Sequence, residues 1–135
     1  MRSNDSPERI GRGTAVGFFV GVFPTLWLGP PLAIAAAGLL GANRAAALLG
    51  NVVCGPLTPI TWGLSVALGN QLVGEHLRIS SEVLATGSRS EITQRFFATF
   101  LTGNLAVSLV LAAMGYALAW GLAARRRRRV SAEGF

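Results

Sequence analysis

FFATFLTGNLAVSLVLAAMGYALAWGLAA, residues 96–124, runs for 29 residues without an Asp, Glu, Lys or Arg. Two further stretches share that property: Gly13–Asn43 over 31 residues and Ala45–Gly74 over 30. A spanning helix needs about 20 mainly apolar residues to cross a hydrocarbon core roughly 30 Å thick. A soluble chain of 135 residues needs solvated charge on the outer face of nearly every element. Most of this chain has none. The pattern predicts an all-α integral membrane protein: one helical domain over residues 13–124, a polar tail at 1–12 and a basic tail at 125–135.

The composition agrees. Hydrophobic residues make up 51% and charged residues 13%, about half the charge of an average soluble protein. All 12 basic residues are Arg against 6 acidic residues, for a net charge of +6. Without Lys there is no Schiff-base chemistry and no P-loop lysine. Arg125, Arg126, Arg127, Arg128 and Arg129 form a block directly after the third window, opposed only by Glu133. A basic run also suits nucleic acid. Directly after an apolar span it marks the cytoplasmic side and touches anionic headgroups, so membrane lipids are the expected partner and nucleic acid is not.

Cys54 is the only cysteine, so no intramolecular disulfide can form, and it reads as a small buried apolar side chain. His76 is the only histidine, which rules out a Cys/His metal cluster; neither metal nor cofactor is expected. Met1–Ile10 is polar, contains Pro7 and lacks the ordered parts of a signal peptide, so the first apolar window is expected to be retained.

The third window contains no proline and predicts a long continuous helix, with Tyr116 and Trp120 near the Arg block as headgroup anchors. Asn104, inside it, needs a partner helix. Prolines interrupt the other two windows. In the first, Gly13–Phe23 meets Pro24 and then Trp27-Leu28-Gly29-Pro30-Pro31, leaving pieces at 13–23 and 32–42 of about 16 Å each. Neither crosses a bilayer alone, so a hairpin of two short helices, re-entrant in one form, fits better than a single span. In the second, Ala45–Cys54 leads into Gly55-Pro56-Leu57-Thr58-Pro59 before Ile60–Val73 resumes.

Between Glu75 and Arg95 lies a polar loop with three acidic and three basic residues. Leu77, Ile79, Val83 and Leu84 within it suit a short amphipathic surface helix. A hairpin first window and one crossing in each later window place Arg9, Arg12, Arg44 and the terminal block on one side. Both termini are then cytoplasmic. Three simple spans would put the N-terminus and its arginines outside, which is less favourable.

Gly13, Gly17 and Gly21 form a GxxxGxxxG stripe on one helix face, a packing signal that leaves open an internal contact or one with a second copy. The run Gly13-Thr14-Ala15-Val16-Gly17-Phe18-Phe19-Val20-Gly21-Val22-Phe23-Pro24, then Leu40-Gly41-Ala42-Asn43-Arg44, then Gly50 through Pro59, resembles the bacterial membrane family catalogued as domain of unknown function 2062. The resemblance covers residues 10–74 well and the remainder in hydropathy. It implies a glycine-spaced first helix ending at proline, an Asn before a helix, and an Asn-Pro-x-Thr turn in the next hydrophobic segment. This chain departs from the last feature, reading Gly55-Pro56-Leu57-Thr58, while Asn51 lies one helical turn earlier. The resemblance implies no established activity.

Two function classes follow. In the first, the broken helices form a site at Asn51, Pro56, Thr58 and Thr61, with Thr58 capping a helix N-terminus and Pro59 in its first position. Such a site would take a lipid headgroup, with phosphate a reasonable candidate, or a small polar solute, and assist its movement across the bacterial inner membrane. A carrier this small suits a homo-oligomer. In the second, the protein is a non-catalytic module docking to another membrane protein through its glycine stripe. An internally satisfied kink is the plain structural alternative at the Pro-Thr turn. An enzyme is not expected, because the windows hold no carboxylate or His and Ser65 and Ser108 lack an activating base.

Overall fold

Ser6 opens the first helix. Its hydroxyl accepts a hydrogen bond from the Arg9 amide at 3.3 Å, and Pro7 takes the first position, where no N–H is needed. In the computed structural model, which describes residues 5–74 and 79–134, helix α1 spans Pro7–Val22. It therefore begins six residues before the charge-free window, because a cap and a proline set a helix start and charge does not. Phe23 is extended ahead of Pro24 and ends the helix. A single 3₁₀ turn, Leu26–Leu28, leads into α2 (Gly29–Leu39). Pro30 and Pro31 sit in the first turn of α2, so they start that helix where a break was expected. Gly41, at φ 62°, takes the left-handed conformation past the end of α2.

Asn43 then caps α3 (Arg44–Cys54), accepting from the Ala46 amide at 2.7 Å. A 3₁₀ turn at Gly55–Leu57 joins α3 to α4 (Thr58–Leu72) with helical dihedrals on both sides. Ser80 caps the short α5 (Ser81–Thr86), and Ser88 caps α6 (Arg89–Glu133), a continuous helix of 45 residues. The first turns of α6 lie in the segment read as polar loop, and its last turns carry the Arg block. Glu75, His76, Leu77 and Arg78 lie outside the described residues. No strand occurs among the described residues. Two runs, Arg44–Leu72 and Arg89–Glu133, are long and apolar enough to cross a membrane by length and composition.

Close approach of backbones organises the bundle. Helix α3 runs parallel to α1: a Cβ at Gly13 would collide with the Asn43 carbonyl, and one at Gly17 with the Ala47 carbonyl and, at 2.9 Å, the Asn51 nitrogen. At Gly21 it would meet the Cys54 Cβ at 2.7 Å. The glycine stripe is thus covered by α3 of the same chain. Of the two contacts the sequence left open, the internal one is the one this structure makes, and α3 occupies the face of the stripe through which another protein would dock. Helix α6 runs antiparallel to both α4 and α1, meeting Gly69 at Thr99 and Gly103, Phe18 at Gly115 and Gly11 at Tyr116. Helices α4 and α1 lie along successive stretches of α6. The buried core is correspondingly small-residue: Ala33, Ala37, Ala42 and Ala47 in one cluster, Val22, Cys54 and Val107 in another. Larger apolar side chains point outward, including Leu39, Leu64, Leu109, Met114 and Leu118.

The starts of α1 and α3 and the end of α6 meet at one end of the bundle. Arg9 pairs with Asp5 at 2.9 Å and donates to the Gly41 carbonyl, Asn43 donates to Asp5, and Arg127 donates to the Asp5 carbonyl at 3.2 Å. Trp120 Nε1 donates to the Glu8 carboxylate at 3.4 Å. The Glu8 carboxyl is held below its ordinary value of 4.5, first by its own backbone amide and next by the Trp120 indole. A carboxylate with a depressed folded pKa stabilises the fold above its unfolded pKa, and that contribution is lost as pH falls through the folded value. With Trp27 and Trp62 replaced by Phe, Trp120 emission is expected to shift only below pH 4.5, and Glu8→Gln should abolish the shift. A transition above that pH would contradict the contact.

Candidate functional site

Helix α1 must stop at Phe23-Pro24, and α3 tightens into a 3₁₀ turn at Gly55-Pro56 at the same level. Between the two interruptions opens a cleft of about 320 Å³. Its aromatic walls are Phe23, Trp27 and Trp62, and its polar groups come from Thr25, Asn51 and Thr58. None of the described residues lining it is charged. Glycines at 21, 29 and 55 leave the space open.

Asn51 is the distinctive member. It is only 7% exposed, yet its carboxamide makes no hydrogen bond among the described residues. It borders the cleft beneath Gly29, where an added Cβ would lie 3.1 Å from its Nδ2 and 3.3 Å from its Oδ1. Among the described residues no buried side-chain nitrogen or oxygen lacks a partner, so the unbonded Nδ2 and Oδ1 of Asn51 reach the surface of the cleft, where a ligand or water can bond them.

The other expected site residues divide. Thr58 lines the cleft, but its own dihedrals are helical and its hydroxyl donates back to the Cys54 carbonyl at 3.2 Å. It is the first residue of α4 and does not cap it: the 3₁₀ turn carries the helix through, so no open helix N-terminus forms. The Thr58 amide is bonded to the Gly55 carbonyl, and Pro59 has no N–H. Neither Thr58 nor Pro59 therefore offers a backbone donor to a phosphate at this turn. Pro56 is exposed and does not border the cleft. Thr61 is buried, donates to the Thr58 carbonyl at 3.0 Å and also lies outside the lining. Gly21 serves both the stripe and the cleft, whereas Gly13 and Gly17 only pack.

The sequence reading missed Thr25, Trp27 and Trp62. A signal was present for the tryptophans: interfacial Trp belongs near the ends of an apolar window, and both lie well inside theirs.

Directly behind the cleft, Asn104 Nδ2 donates to the Val22 carbonyl at 3.0 Å and to Ser65 Oγ at 3.2 Å. Ser65 passes its own proton to the Thr61 carbonyl at 2.6 Å, and Ser108 approaches Asn104 Oδ1 at 3.5 Å. Asn104, Ser65 and Ser108 are fully buried. Every member is satisfied, so this network binds α1, α4 and α6 together. At the opposite end, Arg126 and Arg127 border a second, larger cleft of about 500 Å³ with Asp5, Ile10 and Val130. Arg125, Arg128 and Arg129 are exposed on the same stretch of α6.

A family model described as an uncharacterized protein conserved in bacteria, DUF2062, matches residues 1–131. The chain belongs to that family. The match runs far beyond residue 74, so α5 and most of α6 belong to the family's pattern along with the proline-broken half. No curated protein and no solved structure matches the chain. The family description attaches no activity, and the functional reading rests on the cleft.

Proposed function

We propose that the chain is a multi-pass protein of the bacterial inner membrane that binds a small polar group in the cleft and assists its passage across the bilayer, without catalysing a reaction. The observation that carries this reading is the Asn51 carboxamide, unbonded within the chain and open to an uncharged aromatic cleft.

Burial supports a lipid environment. Only 22% and 17% of the most apolar stretches of the two long runs are buried within the structure, whereas the core helix of a soluble protein is mostly buried. Depth supports a midplane site. Asn104, level with the end of α1, is twelve residues from Tyr116, level with Gly11, or about 18 Å of helix; Phe96 lies eight residues the other way, about 12 Å. The sum matches a hydrocarbon core of roughly 30 Å, with the cleft near its middle. In this reading α1 and α2 form a hairpin entering from the arginine-rich cytoplasmic side and turning inside the bilayer. Irregular backbone at that depth must be satisfied by protein or water. Here the Thr25 amide bonds the Phe23 carbonyl at 2.7 Å, the Leu28 amide bonds the Thr25 carbonyl at 3.2 Å, and Asn104 holds the Val22 carbonyl. Broken helices meeting at a midplane site are the arrangement on which many transporters are built.

Native mass spectrometry of the protein extracted with its surrounding lipid is the direct test, and it also reports the oligomeric state. The wild type should retain one defined small molecule or lipid per chain, and Asn51→Leu should lose it. Asn51→Leu removes no hydrogen bond within the chain and keeps a similar side-chain size, so it should melt close to wild type. Empty wild-type protein would sink the proposal, as would a ligand indifferent to the substitution.

A further inference from the structure

We infer, resting on the reading of the cleft as a binding site, that the group it takes is uncharged and rich in hydroxyls: a single sugar ring or short polyol, free in solution or carried as a lipid headgroup.

Charge is the first discriminator. No ionisable side chain among the described residues lines the cleft. Arg12 on α1 lies eleven residues before Phe23, about 16 Å away along the helix. A bound ion would find no counter-charge in an environment of low dielectric. Helix ends do not substitute. The first turn of α2 holds Pro30 and Pro31, which have no N–H, and the Thr58 amide is already bonded at the start of α4. For a cation, the α1 carbonyls of Phe19, Val20 and Val22 are occupied by the Phe23 amide, the Thr25 hydroxyl and Asn104. The C-terminal end of α1 and the N-terminal end of α2 also meet at the cleft, so their dipoles oppose each other.

The hydrogen-bonding inventory points the same way. Thr25 donates its hydroxyl proton to the Val20 carbonyl at 3.4 Å and Thr58 donates its own to Cys54 at 3.2 Å. Both oxygens keep lone pairs. Asn51 adds two N–H donors and one acceptor oxygen. A partner for this set must both donate and accept, which adjacent hydroxyl groups do. Trp27, Trp62 and Phe23 supply flat apolar faces suited to the C–H side of a ring. The cleft's 320 Å³ is at the small end of ligand pockets, about 300–1,000 Å³, which suits one ring.

The test uses Trp120→Phe protein in phosphatidylcholine nanodiscs, free of sugar detergents, so that emission comes from Trp27 and Trp62. The probes are methyl glucoside, inorganic phosphate and tetramethylammonium. Methyl glucoside should give a saturable change, and the two ions should give none. Asn51→Leu should weaken binding about tenfold, as loss of a buried hydrogen-bonding group would. Gly55→Leu is the second variant. Gly55 has helical dihedrals (φ −49°, ψ −57°) and open space where a Cβ would sit, so leucine folds there and obstructs the cleft. It should abolish the response.

A saturable response to phosphate or tetramethylammonium that Gly55→Leu removes would overturn the uncharged class and leave the cleft reading standing. No response to any probe would overturn both, as would methyl glucoside binding that both variants leave intact. Nanodiscs doped with glucosyl diacylglycerol separate the sources: tighter retention than methyl glucoside assigns a headgroup, and equal or weaker retention a free solute.

Discussion

Gly103→Ala is expected to lower the melting temperature by something on the order of 10 °C or to prevent folding, the largest effect of any single methyl in the chain. A Cβ at Gly103 collides with the Ser65 carbonyl oxygen and lies 2.6 Å from the Gly69 amide nitrogen, and one at Gly69 collides in turn with the Thr99 carbonyl. These neighbours are backbone, so no side chain can rotate aside; α4 and α6 must separate along their length. Overpacking a core typically costs about 1–3 kcal/mol and sometimes more, and contact with a rigid backbone belongs at the upper end. The control is Gly121→Ala on the same helix, where nothing lies within 4 Å of the added carbon. That change should be neutral or stabilising by up to about 1 kcal/mol, from helix propensity alone. Thermal unfolding of the two variants beside wild type, in one detergent, decides the matter. Equal melting of all three would mean that α4 and α6 do not cross at these glycines.

Asn104→Leu should cost about 1–3 kcal/mol, and its effect should be localised. The substitution removes both donors that hold the Val22 carbonyl and Ser65 Oγ, leaving the last carbonyl of α1 buried without its partner. The turn from Phe23 to Leu28 depends on that anchor, because α1 ends there and α2 begins after it. Hydrogen exchange should accelerate at this turn and leave the Ala112–Leu122 stretch of α6 near wild type. Ser65→Ala, which removes one acceptor and keeps the Val22 bond, should be milder, and the two changes should be non-additive because they share Asn104. Wild-type exchange at the turn in Asn104→Leu would show that the carbonyl is held by something else.

These two residues also show how far local reading reaches. Asn104 announces itself: a carboxamide in 29 residues free of charge reads as a group that needs a partner on another helix. Its partners, Val22 and Ser65, are 82 and 39 residues away and carry no mark of the pairing. The GxxxGxxxG stripe likewise declares a close approach without naming the helix that makes it. Proline chemistry is only half informative. Pro24 and Pro56 do lie at interruptions, but Pro30 and Pro31 open a helix. A proline excludes a backbone donor without saying on which side the helix lies.

Charge spacing, proline and the apolar windows are properties of consecutive residues. From them follow the all-helical architecture, the long final helix and the interruptions near Phe23 and Gly55. The cleft was assembled by other means. Its polar groups come from the turn after α1, the last helical turn of α3 and the first residue of α4, and they converge because Gly17 and Gly21 let α1 rest on α3. Thr58 was legible as polar, but only its helical backbone and its bond to Cys54 show that it offers an acceptor and leaves no helix end open for phosphate. Asn51 was legible as a candidate, but that its carboxamide is unbonded and open to the cleft depends on what every neighbouring helix leaves unfilled. Contacts between distant segments are set by packing, and no window of sequence contains them.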